Sequence, residues 1–263
     1  MRRTLGFIGG GKMATAMIKG LLHQDYPKEK ILVADPDPGR RQELAALGIT
    51  VFTENSAAVA GVDAVILAVK PQKVEEALQG VKFRPGLPLL SIVAGYSTTR
   101  LEKLLPGLRV LRAMPNVAAL VREGITALTP GKSAREEDLA WGKEILQAFG
   151  GVVLVEEEMM NAVTAVSGSG PGFVFSFLAA LTDAGVLAGL PRVLAGELAL
   201  QTLLGSAKMA AELGEHPVVL RDMVTSPGGT TIAGLLELER YGFAGAIMQA
   251  VFSAKERAEE LGE

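Results

Sequence analysis

The feature that most constrains the fold is a glycine-rich turn near the start of the chain. The turn lies between a predicted buried strand at 4–8 and a predicted amphipathic helix at 13–22, in the G-x-G-x-x-A spacing typical of dinucleotide-binding turns. Its first glycine permits a sharp turn, the second leaves room for a pyrophosphate, and the alanine lets the helix pack closely on the strand. The helix start adds free N–H groups. The turn therefore predicts a cofactor site at Gly9, Gly11, Lys12, Met13 and Ala14, although a plain tight turn has the same spacing.

Strand and helix signals alternate over residues 1–156. Continuous apolar runs at 63–69 and 87–93 indicate parallel strands that are buried on both faces. Five shorter strand signals lie at 30–34, 49–52, 109–113, 125–128 and 152–155. Together with the first strand and the two apolar runs, they predict about eight strands. This alternation predicts an α/β fold with a Rossmann-type doubly wound parallel sheet.

Residues 157–263 have a different pattern, in which strand signals nearly vanish. Ala, Leu, Gly and Met recur there at helical spacing, and prolines stand where helices begin or turn. The predicted helices lie at 157–166, 171–188, 191–213, 216–224, 230–240 and 242–261. We therefore predict two domains, 1–156 and 157–263, of which the second is all-α.

Composition excludes several classes of function. The 263 residues carry a formal net charge of −3, no cysteine and two histidines. This composition argues against nucleic-acid binding, thiolate chemistry and a histidine-rich metal site, so no metal is expected. The most apolar region, 163–190, is interrupted by Ser, Gly and Pro, and no signal region follows Met1. We expect no membrane span and a cytoplasmic location.

Asp35 ends the predicted second strand, 24 residues after Gly11. An acid at this place usually accepts hydrogen bonds from the ribose hydroxyls of NAD. The alternative is a carboxylate that caps the following turn, and Arg40 and Arg41 are candidates for pairing with the 2′-phosphate of NADP. The choice between NADH and NADPH stays open.

Other candidates follow the ends of predicted strands, at the edge of the sheet where ligands bind in open α/β folds. They are Ala68, Lys70 and Pro71 at the end of the fourth strand, Ala94 after the fifth, and residues 114–116 after the sixth. A lysine here can contact cofactor or substrate, but it can equally be an ordinary solvated side chain.

A second glycine-rich turn, from Ser226 to Thr231, precedes the predicted helix at 230–240. Consecutive N–H groups at a helix start bind small anions such as carboxylates, and the hydroxyls of Ser226, Thr230 and Thr231 add donors. The alternative is a turn between two helix caps.

Several motifs together resemble the pyrroline-5-carboxylate reductase family. The stretch 217–239, which contains the second turn, is similar to the C-terminal signature of that family; so are 165–171 with 189–191, 68–71, 114–116 and 121–124. The resemblance extends from the first strand almost to the C-terminus.

The resemblance implies that NADPH or NADH donates a hydride to the C=N bond of 1-pyrroline-5-carboxylate, which yields L-proline in the last step of proline biosynthesis. It implies an all-α C-terminal dimerisation domain, a homodimer that assembles further to a decamer, and active sites completed across the dimer interface.

The resemblance also implies roles for particular residues. Ser226, Gly229, Thr230 and Thr231 would hold the substrate carboxylate, and Thr231 would lie beside the imine nitrogen. Thr164 and Ser167 would lie near the nicotinamide or the substrate. The cofactor site would include Asn55, Lys70, Pro71 and Ala94. Asp35 departs from relatives that often carry a small hydroxyl residue there, which argues against strict NADPH dependence.

The chemistry suits this set of residues. A protonated cyclic imine is already electrophilic, so hydride transfer needs positioning rather than a metal or a strong base. One rival is a hydroxyacid dehydrogenase of similar plan, which would need a catalytic lysine in the helical domain, where Lys208 is the only internal candidate. A nucleotide-sensing protein without turnover is another.

Overall fold

A computed structural model describes residues 2–262 of the chain. It contains two compact units, one formed by residues up to Ser169 together with those from Ala254 onward, the other by Gly170–Ser253. The predicted boundary at 156/157 marks a change in secondary structure rather than this division, and it stays a prediction.

The first unit is built on one eight-stranded sheet in the order β3-β2-β1-β4-β5-β6-β7-β8. The strands are β1 (Leu5–Ile8), β2 (Ile31–Ala34), β3 (Thr50–Phe52), β4 (Ala64–Leu67), β5 (Pro88–Ser91), β6 (Arg109–Met114), β7 (Gly124–Pro130) and β8 (Gly150–Leu154). The α/β class and the strand number are confirmed. Because β1 lies between β2 and β4, its carboxyl end is the switch point where open α/β sheets bind ligands.

The predicted parallel sheet is confirmed except at one edge. β7 runs antiparallel to β6, and β8 runs parallel to β7. The reason lies in the connection from Met114 to Gly124, which contains only the 3₁₀ turn Val117–Val121. A parallel pairing needs a crossover of a dozen or more residues, and this connection is shorter.

The helices agree with the predicted ones to within a few residues, especially in the second half of the chain. They are α1 (Lys12–His23), α2 (Pro38–Ala46), α3 (Asn55–Val59), α4 (Val74–Leu78), α5 (Thr98–Leu104), α6 (Glu136–Leu146), α7 (Met160–Val163), α8 (Gly170–Leu187), α9 (Arg192–Leu213), α10 (Pro217–Met223), α11 (Thr230–Arg240) and α12 (Phe243–Gly262). A 3₁₀ turn at Glu157–Met159 precedes α7, and a π-helical segment at Thr164–Gly168 follows it.

Apolar side chains on both faces of the sheet explain why the first unit is stable. Every residue of β1, β4 and β5 is buried. Helix α1 packs on the sheet through Ala14, Met17, Ile18 and Leu21, which recur at helical spacing and are buried. Each large side chain of this face contributes about 1.5–3 kcal/mol, and the packing sets the position of the turn before α1.

The second unit differs because its apolar side chains are widely exposed. No residue of α8 is buried, and Leu187, Val193 and Leu204 are exposed. The helical stretch Glu157–Leu187 contains an 18-residue window of mean hydropathy 1.4 and is long enough to cross a membrane. Our expectation that no stretch reaches this length and apolarity was therefore wrong, since the small residues that interrupt the run lower its mean hydropathy only slightly. Helices that pack against protein pass the same test.

Candidate functional site

The glycine-rich turn is held between the ends of two strands. The N–H of Gly9 donates to the carbonyl oxygen of Ala34 at 2.8 Å. Gly9 has φ +96°, and a Cβ there would lie 2.6 Å from the carbonyl oxygen of Ala68. Any other residue at position 9 would therefore be strained and would push β4 away.

The space in front of the turn suits a dinucleotide. A Cβ on Gly11 would meet no atom within 4 Å, so the backbone borders open space there. Gly11 is also the N-cap of α1 and provides no side chain to cap it. The first N–H groups of α1 are therefore available to a pyrophosphate, and Ala14 is buried beneath them. The residues fit the cofactor that the sequence predicts.

Asp35 is only 2% exposed, and both of its carboxylate oxygens accept hydrogen bonds within the chain. Oδ2 accepts the N–H of Gly10 at 2.8 Å, and Oδ1 accepts the N–H of Asp37 at 2.9 Å. Arg40 Nη1 lies 3.5 Å from Oδ2. These contacts agree with the alternative considered for Asp35, an acid that organises its own turn.

A cleft of about 320 Å³ lies within the first unit. Three predicted site residues line it: Pro71 after β4, Ala94 after β5, and Thr164. Gly95, which follows Ala94, has φ +76°, and a Cβ there would lie 2.8 Å from the carbonyl oxygen of Leu261. The cleft therefore depends on a close approach between the loop after β5 and the last turn of α12.

Thr164, which lines this cleft, and Ser167 both lie on the π-helical segment Thr164–Gly168. Thr164 Oγ1 donates to the carbonyl oxygen of Met160 at 2.8 Å, and Ser167 Oγ donates to that of Val163 at 3.0 Å. Both hydroxyl protons are therefore engaged, while the hydroxyl oxygens remain able to accept a hydrogen bond. π segments often occur at functional sites.

The remaining predicted cofactor residues surround the carboxyl edge of the sheet. Lys70 and Lys12 are exposed at the starts of the 3₁₀ turn Pro71–Lys73 and of α1. Ala68 extends β4 through its N–H, which donates to the carbonyl oxygen of Ile8 at 2.8 Å. Asn55 Nδ2 donates to the carbonyl oxygen of Ala77 at 2.8 Å, so this amide links the start of α3 to the end of α4.

Sequence reasoning missed several residues of the cleft. Asn161 lies one helical turn before Thr164, and this spacing alone predicts that the two side chains share one face of the helix. Tyr96 and Arg100 follow Gly95 closely, and the Arg100 guanidinium lies 4.1 Å from the centroid of the Tyr96 ring. Ala258 and Leu261 had no sequence signal, since they come from the far end of the chain.

The second glycine-rich turn lies in the second unit. Gly228 has φ +66°, the N–H of Gly229 donates to the carbonyl oxygen of Ser226 at 3.1 Å, and Gly229 is the N-cap of α11. A Cβ on Gly229 would overlap Ser226 Oγ. No side chain caps α11, so the N–H groups at its start are open to an anion beside the hydroxyls of Ser226, Thr230 and Thr231.

Lys208, the candidate of the dehydrogenase alternative, is highly exposed in α9 and lies 3.7 Å from Glu212 in an i,i+4 ion pair. This environment is that of a solvated surface lysine and gives no support to a catalytic role.

The sheet, its switch-point turn and the adjoining cleft define an NAD(P)-dependent oxidoreductase of the Rossmann type. Two family models match: pyrroline-5-carboxylate reductase dimerisation over residues 157–261, and NADP oxidoreductase, coenzyme F420-dependent, over residues 4–95. A pyrroline-5-carboxylate reductase of Synechocystis is 45% identical to this chain, and the match covers 98% of both chains. The chain belongs to the pyrroline-5-carboxylate reductase family.

Solved structures agree with this assignment. A pyrroline-5-carboxylate reductase from Coxiella burnetii superposes with a TM-score of 0.93 at 32% identity, over 99% of each chain. The pyrroline carboxylate reductase of Plasmodium falciparum, solved with NADP bound, has a TM-score of 0.89 at 30% identity and covers 100% of this chain and 99% of its own.

Proposed function

We propose that this protein reduces the C=N bond of 1-pyrroline-5-carboxylate to give L-proline, with NADPH or NADH as the reductant. The observation that carries this proposal is the full-length match to reductases of this name at 45% identity and 98% coverage in both directions. The reaction is the last step of proline biosynthesis.

The first unit supplies the cofactor site in this proposal. Gly9, Gly11, Lys12, Met13 and Ala14 receive the pyrophosphate at the start of α1, where open space adjoins Gly11. Asp35 contributes by holding the N–H of Gly10. The residues Asn55, Ala68, Lys70, Pro71 and Ala94 border the rest of the dinucleotide along the carboxyl edge of the sheet.

The second unit supplies the substrate anchor. The start of α11 has free N–H groups and three nearby hydroxyls, which suit a single carboxylate. Ser226, Gly229, Thr230 and Thr231 hold this group, and its position determines where the ring of the substrate lies.

The chemistry then needs little further help from the chain. When bound, the reduced nicotinamide would supply a hydride to the imine carbon of the ring, and the ring nitrogen holds a proton. Thr231 and Thr164 are the proposed catalytic residues: the Thr231 hydroxyl orders the nitrogen or an adjacent water, while Thr164 provides a hydrogen-bond acceptor on the cleft wall. Orientation alone can supply several orders of magnitude in rate.

We also propose a homodimer, assembling to a decamer, formed by the all-α domain 157–263. The support is the dimerisation family model over 157–261 and the exposed apolar side chains of α8 and α9. In this proposal the apolar stretch Glu157–Leu187 packs against protein rather than lipid, and the enzyme is cytoplasmic and binds neither membrane nor nucleic acid.

A direct spectrophotometric assay tests the proposed reaction. Purified protein, pyrroline-5-carboxylate and either NADH or NADPH are mixed, and the loss of absorbance of the reduced cofactor is followed together with the formation of proline. We expect cofactor loss and proline formation in equal amounts, and no loss when pyrroline-5-carboxylate is replaced by proline. Absence of turnover with both cofactors would overturn the proposal; turnover of a hydroxyacid with NAD instead would favour a dehydrogenase.

A further inference from the structure

The loop after β2 contains a second acid whose position differs sharply from that of Asp35. We propose that Asp37 is the residue that contacts the adenosine ribose, and that its carboxylate makes the protein prefer NADH over NADPH. This inference rests on the proposed function only in requiring that the ligand is a nicotinamide dinucleotide.

Asp35 is not available for the ribose. Its side chain is buried, and its two oxygens accept the N–H groups of Gly10 and Asp37 at 2.8 and 2.9 Å. Turning this carboxylate toward a ligand would leave the buried N–H of Gly10 without a partner and would break the bond from the N–H of Asp37, which is unfavourable. Asp35 is therefore a positioning residue that connects the end of β2 to the glycine-rich turn.

Asp37 has the opposite environment. It is exposed and is the N-cap of α2, where Oδ1 accepts the N–H of Gly39 at 2.8 Å and that of Arg40 at 3.2 Å. These bonds fix the carboxylate in one orientation. Within residues 2–262, the hydrogen bonds of this side chain involve Oδ1, so Oδ2 can accept a ribose hydroxyl. An acid close to the end of the second strand commonly makes this contact in dinucleotide-binding folds.

The same arrangement disfavours a 2′-phosphate. The N–H groups at the start of α2 form the natural anion site of this loop, and the Asp37 carboxylate already occupies it. A phosphate would face this negative charge at short range. The nearby arginines offset this repulsion only in part, because both already contact the chain. Arg41 Nη1 donates to the carbonyl oxygens of Asp35 and Pro36 at 2.7 and 2.8 Å, and Arg40 Nη1 lies 3.5 Å from Asp35 Oδ2.

Binding measurements without substrate test this inference. Calorimetric titrations of the full chain with NADH and NADPH compare wild type with Asp37→Ser, since serine retains the helix cap but removes the charge. Glu43→Gln is the matched control, because it removes one exposed negative charge from the same helix. Asp35→Asn tests the other acid.

We expect wild type to bind NADH about tenfold more tightly than NADPH, and Asp37→Ser to reduce this ratio by about tenfold, mainly through tighter NADPH binding. Glu43→Gln should leave the ratio unchanged, and Asp35→Asn should weaken both cofactors by a similar factor. An unchanged ratio in Asp37→Ser, or a ratio that changes with Asp35→Asn alone, would overturn the assignment. Because no imine is present, a failed reductase assay would not affect this result.

Discussion

Thr231 carries its hydroxyl on the first turn of α11, beside N–H groups that no side chain caps. In the proposed reaction this hydroxyl acts on the imine nitrogen, while the cofactor is held by residues of the first unit. A change at Thr231 should therefore separate catalysis from cofactor binding.

We expect Thr231→Ala to lower kcat by about 10- to 100-fold, because a hydrogen bond to the reacting nitrogen or its water is lost in the transition state. The dissociation constant of NADH should stay within twofold of wild type. Steady-state kinetics and a titration of cofactor binding measure the two quantities.

Thr225→Ala is the control, since the Thr225 hydroxyl already donates to the carbonyl oxygen of Arg221 at 2.7 Å. It should retain wild-type kcat. A loss of NADH affinity in Thr231→Ala that matches the loss of kcat would contradict the assigned role.

At the scale of elements, one ion pair connects the sheet to the wall of the cleft. Arg112 on β6 is 4% exposed, and its guanidinium pairs with Glu157. Glu157 Oε2 also accepts the N–H of Thr98 at the start of α5, at 3.2 Å. Asn161 and Thr164, which line the cleft, lie four and seven residues after Glu157, so a helical chain presents them on the same face.

Replacing Glu157 by Gln should move that face. We expect the free energy of unfolding to fall by about 2–3 kcal/mol, because the buried Arg112 guanidinium loses its counter-charge. We also expect kcat to fall several-fold with little change in cofactor affinity. Chemical denaturation and steady-state kinetics provide the measurements.

A second ion pair on the same strand is the matched control. Arg109 Nη1 lies 2.6 Å from the largely exposed carboxylate of Glu137, which is not part of the cleft. Glu137→Gln should leave the free energy of unfolding close to that of wild type, because an exposed ion pair contributes little, and should leave kcat unchanged. Equal kinetic effects of the two substitutions would show that Glu157 has only a structural role.

At the scale of the whole molecule, the second unit exposes far more apolar surface than an isolated domain tolerates. Leu187 is 91% exposed, and Val193 and Leu204 of α9 are also exposed. A second copy of the chain would bury such side chains, and the match to a dimerisation family over residues 157–261 suggests that the chain forms an oligomer.

Leu204→Glu should weaken self-association by about 100-fold, because an unpaired carboxylate would be buried in the interface. Sedimentation over a range of concentrations should show a dimer or larger species for wild type and a monomer for the variant. Ser206→Glu adds the same charge at an exposed polar position on the opposite side of α9 and should leave association unchanged.

Circular dichroism separates lost association from lost folding, since a folded monomer keeps its helical signal. If Leu204→Glu and wild type have the same association constant, α9 does not form the interface.

Much of the fold follows from local sequence patterns. The runs at 63–69 and 87–93 contain strands buried on both faces, and the spacing Gly9, Gly11, Ala14 gives a strand, a turn and a helix with open space at Gly11. These predictions succeed because burial and backbone conformation depend on residues within a few positions of one another.

Long-range packing accounts for the rest. The direction of β7 depends on which strand it pairs with, and the ion pair between Arg112 and Glu157 joins residues that are 45 positions apart. The cleft is lined in part by Leu261, which packs closely against Gly95 from the far end of the chain. Asp35 and Asp37 look equivalent in the sequence. In the structure Asp35 is buried and accepts the N–H of Gly10, whereas Asp37 is exposed at the start of α2.

The sequence by itself thus determined the class of fold, the family and the two glycine-rich turns, because each depends on residues that are contiguous in the chain. Only the tertiary structure decided which acid is free to contact a ribose and which residues line the cleft, because the partners that bury or expose a side chain come from distant parts of the chain.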